Sequence, residues 1–138
     1  MVKQTLITKR TPGRGMHAIS DDIAQAVEEL AQGASGLVNL FLQHTSASLL
    51  IQENADPSAR RDLEEFFDRL APEGQPWHRH LDEGPDDTVS HMKAAILPTT
   101  LTLPVTNGKL ALGTWQGLYL AEHRRSPHTR KILITFLS

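Results

Sequence analysis

Residues 100–120 read TLTLPVTNGKLALGTWQGLYL. Thr100 to Val105 is rich in threonine and aliphatic side chains and reads as a strand. Asn107-Gly108 supplies the pair that tolerates positive φ and favours a type I′ hairpin turn. Leu110 to Leu120 then returns as a second strand. Two strands joined by so short a turn must be antiparallel, and this decides the fold class. Working outward, Lys131 to Leu137 (KILITFL) is another strand. Val2 to Lys9 alternates well enough to be a strand and ends at the TPGRG turn (11–15). Gly36 to Gln43 (GLVNLFLQ) is short, apolar and β-prone, as a buried strand should be.

Two segments carry helical spacing instead. Ser20, Asp21 and Asp22 place a cap and negative charge ahead of Ile23, Ala26, Val27 and Leu30, and Gly33 ends the run. Asp56 is an N-cap, Pro57 suits the first helical position, and Leu63, Phe66, Phe67 and Leu70 form one apolar stripe. APEGQP (71–76) breaks this second helix. Many strands following one another, with two main helices and no regular helix-strand alternation, predict an α+β domain. Its sheet or sandwich should be mostly antiparallel. At 138 residues the chain forms a single domain over 1–138, with no internal repeat.

Composition narrows the chemistry. A formal charge of −2 leaves no basic stripe for nucleic acid. The chain has no cysteine, so a metal must sit on histidine and carboxylate. No apolar run approaches the roughly 20 residues that span a bilayer, and the N-terminus lacks the apolar block of a signal peptide. A cytoplasmic protein without membrane partners is expected. Arg124, Arg125 and Arg130 cluster late and suit a small anionic substrate.

Two stretches gather side chains that do chemistry. In QHTSASLL (43–50), a strand would turn His44, Ser46 and Ser48 to one face. A strand with one wet side explains the same pattern. In HLDEGPDDTVSH (80–91), two histidines bracket four carboxylates. A short helix starting near Asp86 would set Asp87 and His91 four residues apart on one face, where a carboxylate orients an imidazole. His80 approaches from the preceding loop, and His78 is a substitute for it. His44, His80 and His91 together would bind a divalent metal and leave positions open, the pattern of a catalytic site. Zinc is the first choice; magnesium, manganese, nickel and iron remain open. A solvated acidic loop is the plainer alternative. In GTWQG (113–117), Trp115 reads as a packing residue, while Gln116, Glu122, Arg124 and Arg130 could line a polar pocket.

QHTSASLLIQENADP (43–57), HLDEGPDDTVSH (80–91), LPVTNGKLALGTWQGLYLAEHR (103–124) and the closing basic strand together resemble the YjbQ-like family, essentially end to end. Thr88-Val89 departs from a methionine-proline pair common there, and His123 from a frequent phenylalanine. The resemblance implies an antiparallel-rich α+β fold and a homotrimer. It also implies a metal-holding pocket formed by His44, Ser46, His80, Asp87 and His91, with Glu53, Asn54 and Gln116 nearby. The activity it implies is thiamine-phosphate synthase, the joining of a pyrimidine methyl diphosphate to a thiazole phosphate. Arg124 or Arg130 would serve the departing diphosphate and carboxylates the pyrimidine cation. A metal-dependent hydrolase, with Asp86 or Asp87 as general base, competes with it, as does a trimeric metabolite- or metal-binding protein without turnover.

Overall fold

The computed structural model describes residues 1–138. In chain order the elements are β1 (Val2–Thr11), β2 (Gly15–Ala18), α1 (Ser20–Ala31), β3 (Gly36–Leu42), β4 (Ala47–Glu53), α2 (Pro57–Leu70), α3 (Pro85–Ile96), β5 (Thr100–Thr106), β6 (Lys109–Leu110), β7 (Gln116–Glu122) and β8 (His128–Leu137). Every strand pair is antiparallel. One sheet runs β1-β8-β3-β5-β6 and the other β2-β7-β4. No helix is long and apolar enough to cross a membrane.

The strand alternation explains the packing. Ile132, Ile134 and Phe136 of β8, Val38, Leu40 and Leu42 of β3, and Leu103 and Val105 of β5 face inward. They meet Ala47 and Leu49 of β4 and Leu118 and Leu120 of β7, so the two sheets form a sandwich. Ile23, Ala26, Val27 and Ala31 of α1 enter the same core. The intervening residues of the smaller sheet, Leu50, Tyr119 and Ala121, point the other way and pack with Met16 and Phe67 of α2. The smaller sheet is thus covered on both faces. The outer face of the larger sheet is not: Leu6 is level with Leu133 and Phe41, and Val2 with Leu137 and Leu37. Leu6, Phe41, Val2, Leu137 and Leu37 are all exposed there.

Local chemistry shows where the sequence reading holds and where it needs correction. Asn107 and Gly108 both take positive φ (50° and 80°), as a type I′ turn requires. The Asp56 side chain accepts the Ser58 N–H at 2.9 Å, capping α2. Ser20, by contrast, is not the cap of α1. That position is Ile19, and the Ser20 hydroxyl accepts the Leu118 N–H at 2.8 Å. The apolar stripe of α2 buries only Phe67, and Phe66 and Leu70 face solvent.

The expected strand from Leu110 to Leu120 is interrupted. Gln116 Oε1 accepts the Gly113 N–H at 2.8 Å, and this tight turn leaves Trp115 exposed rather than packed. Residues 43–46 form a loop and β4 starts at Ala47, so no strand alternation aligns His44 with Ser46 and Ser48. There are three full helices, not two. Pro85 at the first position and Asp86 and Asp87 in the first turn start a 12-residue helix out of the acidic segment.

Candidate functional site

The first turn of α3 builds the centre. Asp87 and His91 lie one turn apart, with His91 Nε2 3.1 Å from Asp87 Oδ2. His80, on the segment leading into the helix, brings its Nε2 to 2.6 Å from the same oxygen. One ligand atom from each of the three residues falls within 4.8 Å of the others. The Asp87 side chain is 3% exposed while His80 and His91 are 51% and 41% exposed, so the anion is at the bottom and the imidazoles at the mouth.

His91 Nδ1 lies 2.8 Å from the Thr45 carbonyl oxygen. A carbonyl only accepts, so Nδ1 carries the proton and a neutral ring presents a bare lone pair at Nε2. That lone pair faces a carboxylate oxygen. The contact is favourable only if the ring takes a second proton or a cation sits between the two. Backbone-fixed Nδ1–H with Nε2 free is how metal-binding histidines are oriented, and the donor set of two imidazoles and one carboxylate fits a divalent ion.

Asp87 is held from behind. Arg124 Nη1 donates to Asp87 Oδ1 at 2.9 Å, Nε to Asp86 Oδ2 at 3.0 Å, and Nη2 to the Glu83 carbonyl at 3.1 Å. The Arg125 N–H adds a bond to Asp86 Oδ2 at 3.0 Å. Burial pushes the Asp87 carboxyl up, but the bond from His80 and the charges of His91 and Arg124 outweigh it and hold the group below the usual carboxylate range. Asp86 follows the same balance: burial raises it, and the Arg125 N–H and Arg124 bring it below its ordinary value. Asp86 therefore secures the helix start and is not free to act as a base.

A second polar network lies deeper. Arg130 Nε donates to Glu122 Oε1 at 2.7 Å, and Nη2 reaches both Glu122 Oε2 and Ser46 Oγ, the latter at 2.9 Å. Thr11 Oγ1 adds a 2.7 Å bond to Glu122. His44 stands outside the His80–Asp87–His91 group. Its Nε2 accepts the Lys131 N–H at 2.8 Å, so its ligating lone pair is already used. Burial, then Arg130, lowers its pKa. Of the three expected histidines, His80 and His91 come together beside Asp87 and His44 does not join them.

Other expected residues are placed elsewhere. The sequence pattern offers Arg124 and Arg130 to an anionic substrate, but their donors are taken by Asp86, Asp87, Glu83, Glu122 and Ser46. Ser46 turns its hydroxyl to Arg130. Glu53, Asn54 and Gln116 sit at the far end of the β4–β7 pair, because Ala47 is level with Glu122 and Glu53 with Gln116. Six residues of strand separate the ends, about 20 Å. There they close turns: Glu53 accepts the Ala55 N–H at 2.6 Å, and Asn54 donates to the Thr114 and Gln116 carbonyls. His78 is buried with neither ring nitrogen bonded, and it does not replace His80.

A groove of about 710 Å³ opens beside the cluster. His44 and His91 give it a polar end, and Phe41, Leu42, Ala94 and Ala95 an apolar floor. Sequence reasoning missed this groove because its apolar floor comes from the end of β3 and the second half of α3, neither of which carries a motif. It also missed the buried pair of His123 Nε2 and Ser48 Oγ, 2.9 Å apart.

Burial, reinforced by the Lys93 charge, lowers the His123 pKa to about 3. The ring is neutral in the fold and binds its proton far more readily once unfolded. Stability tied to His123 is therefore complete above the unfolded value near 6.5 and falls as pH drops toward 3. Urea titrations of wild type and His123→Phe across that window should show a shallower pH slope in the variant. Parallel slopes would remove His123 from the acid response.

Fold and site together define a class: small two-sheet α+β domains with a His–Asp–His cluster at the start of a helix. The chain belongs to the UPF0047 protein YjbQ-like family, whose model matches residues 4–138. It is 44% identical over 131 residues to the UPF0047 protein sll1880 of Synechocystis, covering 95% of this chain and 88% of that one. The UPF0047 protein YjbQ of Escherichia coli O157:H7 is 42% identical over 132 residues, covering 96% and 95%. Among solved structures, the conserved hypothetical protein TT1486 from Thermus thermophilus superposes with a TM-score of 0.84 at 35% identity, covering 96% and 99%. Hypothetical protein APE1520 from Aeropyrum pernix gives 0.87 at 26% identity, covering 99% and 98%.

Proposed function

We propose that His80, Asp87 and His91 hold a divalent ion, zinc first, in an enzyme acting on a small phosphorylated substrate. The reaction is the transfer of a pyrimidinylmethyl group to a thiazole phosphate, its bond to diphosphate breaking as the bond to the thiazole forms and pyrophosphate leaves. The observation that carries the metal assignment is the His91 ring, with Nδ1–H fixed on Thr45 and Nε2 turned to Asp87. The family resemblance points to the transfer. When bound, the ion supplies electrophilic stabilisation to a phosphate oxygen.

The chain's own residues do the positioning. Arg124 fixes Asp87, the Thr45 carbonyl orients the His91 ring, and the apolar floor of Phe41, Ala94 and Ala95 suits a heteroaromatic ring beside His91. The uncovered face of the larger sheet, with its rows of Leu6, Leu133 and Phe41 and of Val2, Leu137 and Leu37, supports assembly as a homotrimer. Phe41 belongs both to that face and to the groove, so a neighbouring subunit would border the substrate.

One observation favours a second reading. Arg124 and Arg130, the two arginines the sequence offers to a departing diphosphate, are already engaged with carboxylates. Hydrolysis of a small phosphoester or acyl substrate asks for less cationic support.

Purified protein loaded with zinc and incubated with both phosphorylated precursors should form thiamine phosphate. His91→Ala should reduce the rate by about 100-fold or more, the loss typical of a removed electrostatic group. Formation no faster than without protein would end the transfer reading. Product release from a phosphoester or lactone panel, absent in the same variant, would then support the hydrolase. Sedimentation of untagged protein as a monomer would remove the trimer.

A further inference from the structure

Lys93 follows His91 by two positions on α3, so it leaves the helix about 200° around and points into different surroundings. It lines a cavity of about 230 Å³ with Arg14, Glu64, Asp68, Glu122 and His123. The residue is 1% exposed, a depth at which lysine is rare unless well paired. Its ammonium has three donors, yet the protein offers Nζ a single acceptor, Asp68 Oδ1, at 3.5 Å. Arg14 Nη1 reaches toward the same oxygen at 3.4 Å, while its Nε is bonded to the His123 carbonyl and its Nη2 to Glu73.

Neither of the cavity's other carboxylates, Glu64 and Glu122, bonds Lys93 Nζ. Glu122 is bonded to Arg130 and Thr11, and Glu64 Oε2 accepts the Met16 N–H at 2.8 Å. Two cations therefore converge on one oxygen at the outer limit of hydrogen bonding. That oxygen belongs to a side chain that is half exposed. A structural ion pair at such depth is normally short and fully bonded, because a poorly compensated buried charge is costly.

We propose that this cavity is a second binding site, for a small oxyanion held between Lys93 Nζ and Arg14 Nη1, and that Asp68 is the counter-ion the ligand displaces. The volume lies below the roughly 300–1,000 Å³ of pockets for whole drug-sized ligands, so it takes a phosphate or carboxylate head group. The site does not depend on the metal reading, because it shares no residue with the His80–Asp87–His91 cluster.

The test is calorimetric titration of the full chain with inorganic phosphate, and separately with acetate, in the presence of a chelator. The chelator prevents either anion from reporting on an ion at His91. Wild type should bind one equivalent. Asp68→Asn should bind several-fold tighter, because the competing carboxylate is gone. Lys93→Met, which replaces the buried ammonium by an apolar chain of similar length and should fold, is expected to bind about tenfold weaker or worse. Arg14→Gln should fall between wild type and Lys93→Met. Preference for acetate with the same order of variants assigns a carboxylate ligand. Equal affinity in wild type and Lys93→Met overturns the proposal. So does no binding by wild type and Asp68→Asn at millimolar anion. Loss of thiamine phosphate formation in a cluster variant leaves it unaffected.

Discussion

Asp87→Ala should abolish stoichiometric zinc binding and destabilise the fold by about 3 kcal/mol, the lower end of the cost of breaking a buried ion pair. The direction follows from what the carboxylate touches. Oδ2 meets both imidazoles and Oδ1 meets Arg124, in a side chain that is 3% exposed. Its loss removes the anionic ligand and leaves Arg124 with only Asp86 and Glu83, which is why the lower figure applies. Against a typical total of about 5–15 kcal/mol, the variant should still fold. Asp87→Asn keeps the shape and one acceptor for Arg124, so it should recover much of the stability and little of the zinc affinity. Zinc titration alongside thermal melts separates the two effects. An alanine variant that binds zinc as wild type does would show that the ion is held elsewhere.

The largest loss of stability is expected at the deeper pair. Arg130 and Glu122 side chains are 3% and 0% exposed, and each satisfies most of the other's bonding capacity. Glu122→Ala alone strands a guanidinium between Ser46 and His44 and should cost about 3–5 kcal/mol. The paired replacement Glu122→Leu with Arg130→Met should restore most of that, since no uncompensated charge remains. Chemical denaturation of the two singles and the double forms the cycle; a double as unstable as the worse single would mean the network is valued for more than its charge balance.

The same pair responds to acid. Burial would raise the Glu122 carboxyl, but Arg130, Thr11 and the Arg124 N–H together bring it below its ordinary value. Its contribution is thus present above the unfolded value near 4.5 and is lost as pH falls through the lower folded value. That loss begins at a lower pH than the loss tied to His123 and overlaps its acid end.

Much of the framework could be read from local pattern. The alternation in β1, the β-prone runs of β5 and β8, the Asn107-Gly108 turn and the Asp56-Pro57 helix start each depend on residues close in sequence. β2 could not be read so, because four residues beginning with Gly15 form a strand only when β7 is present to pair with them. The site divides along the same line. Asp87 and His91 are one helical turn apart, so their meeting was visible. His44 looked equivalent to them because its neighbours alternate, but a loop at 43–46 and the Lys131 N–H decide its role. Arg124 and Arg130 read as free cations since their carboxylate partners come from other strands and helices. Lys93, in a run ending Lys-Ala-Ala, carries no local sign that α3 turns it inward.

The anchor of His91 is a main-chain oxygen, and this limits what side-chain replacement can reveal. Scanning residues 43–46 with alanine leaves the Thr45 peptide oxygen in place, so the ring keeps its tautomer whichever side chain is trimmed. An ester in place of the amide between positions 45 and 46 would weaken that oxygen as an acceptor while sparing every side chain around it, losing only the Ser46 N–H. The loop is therefore a mechanical support whose importance conventional mutagenesis would underestimate.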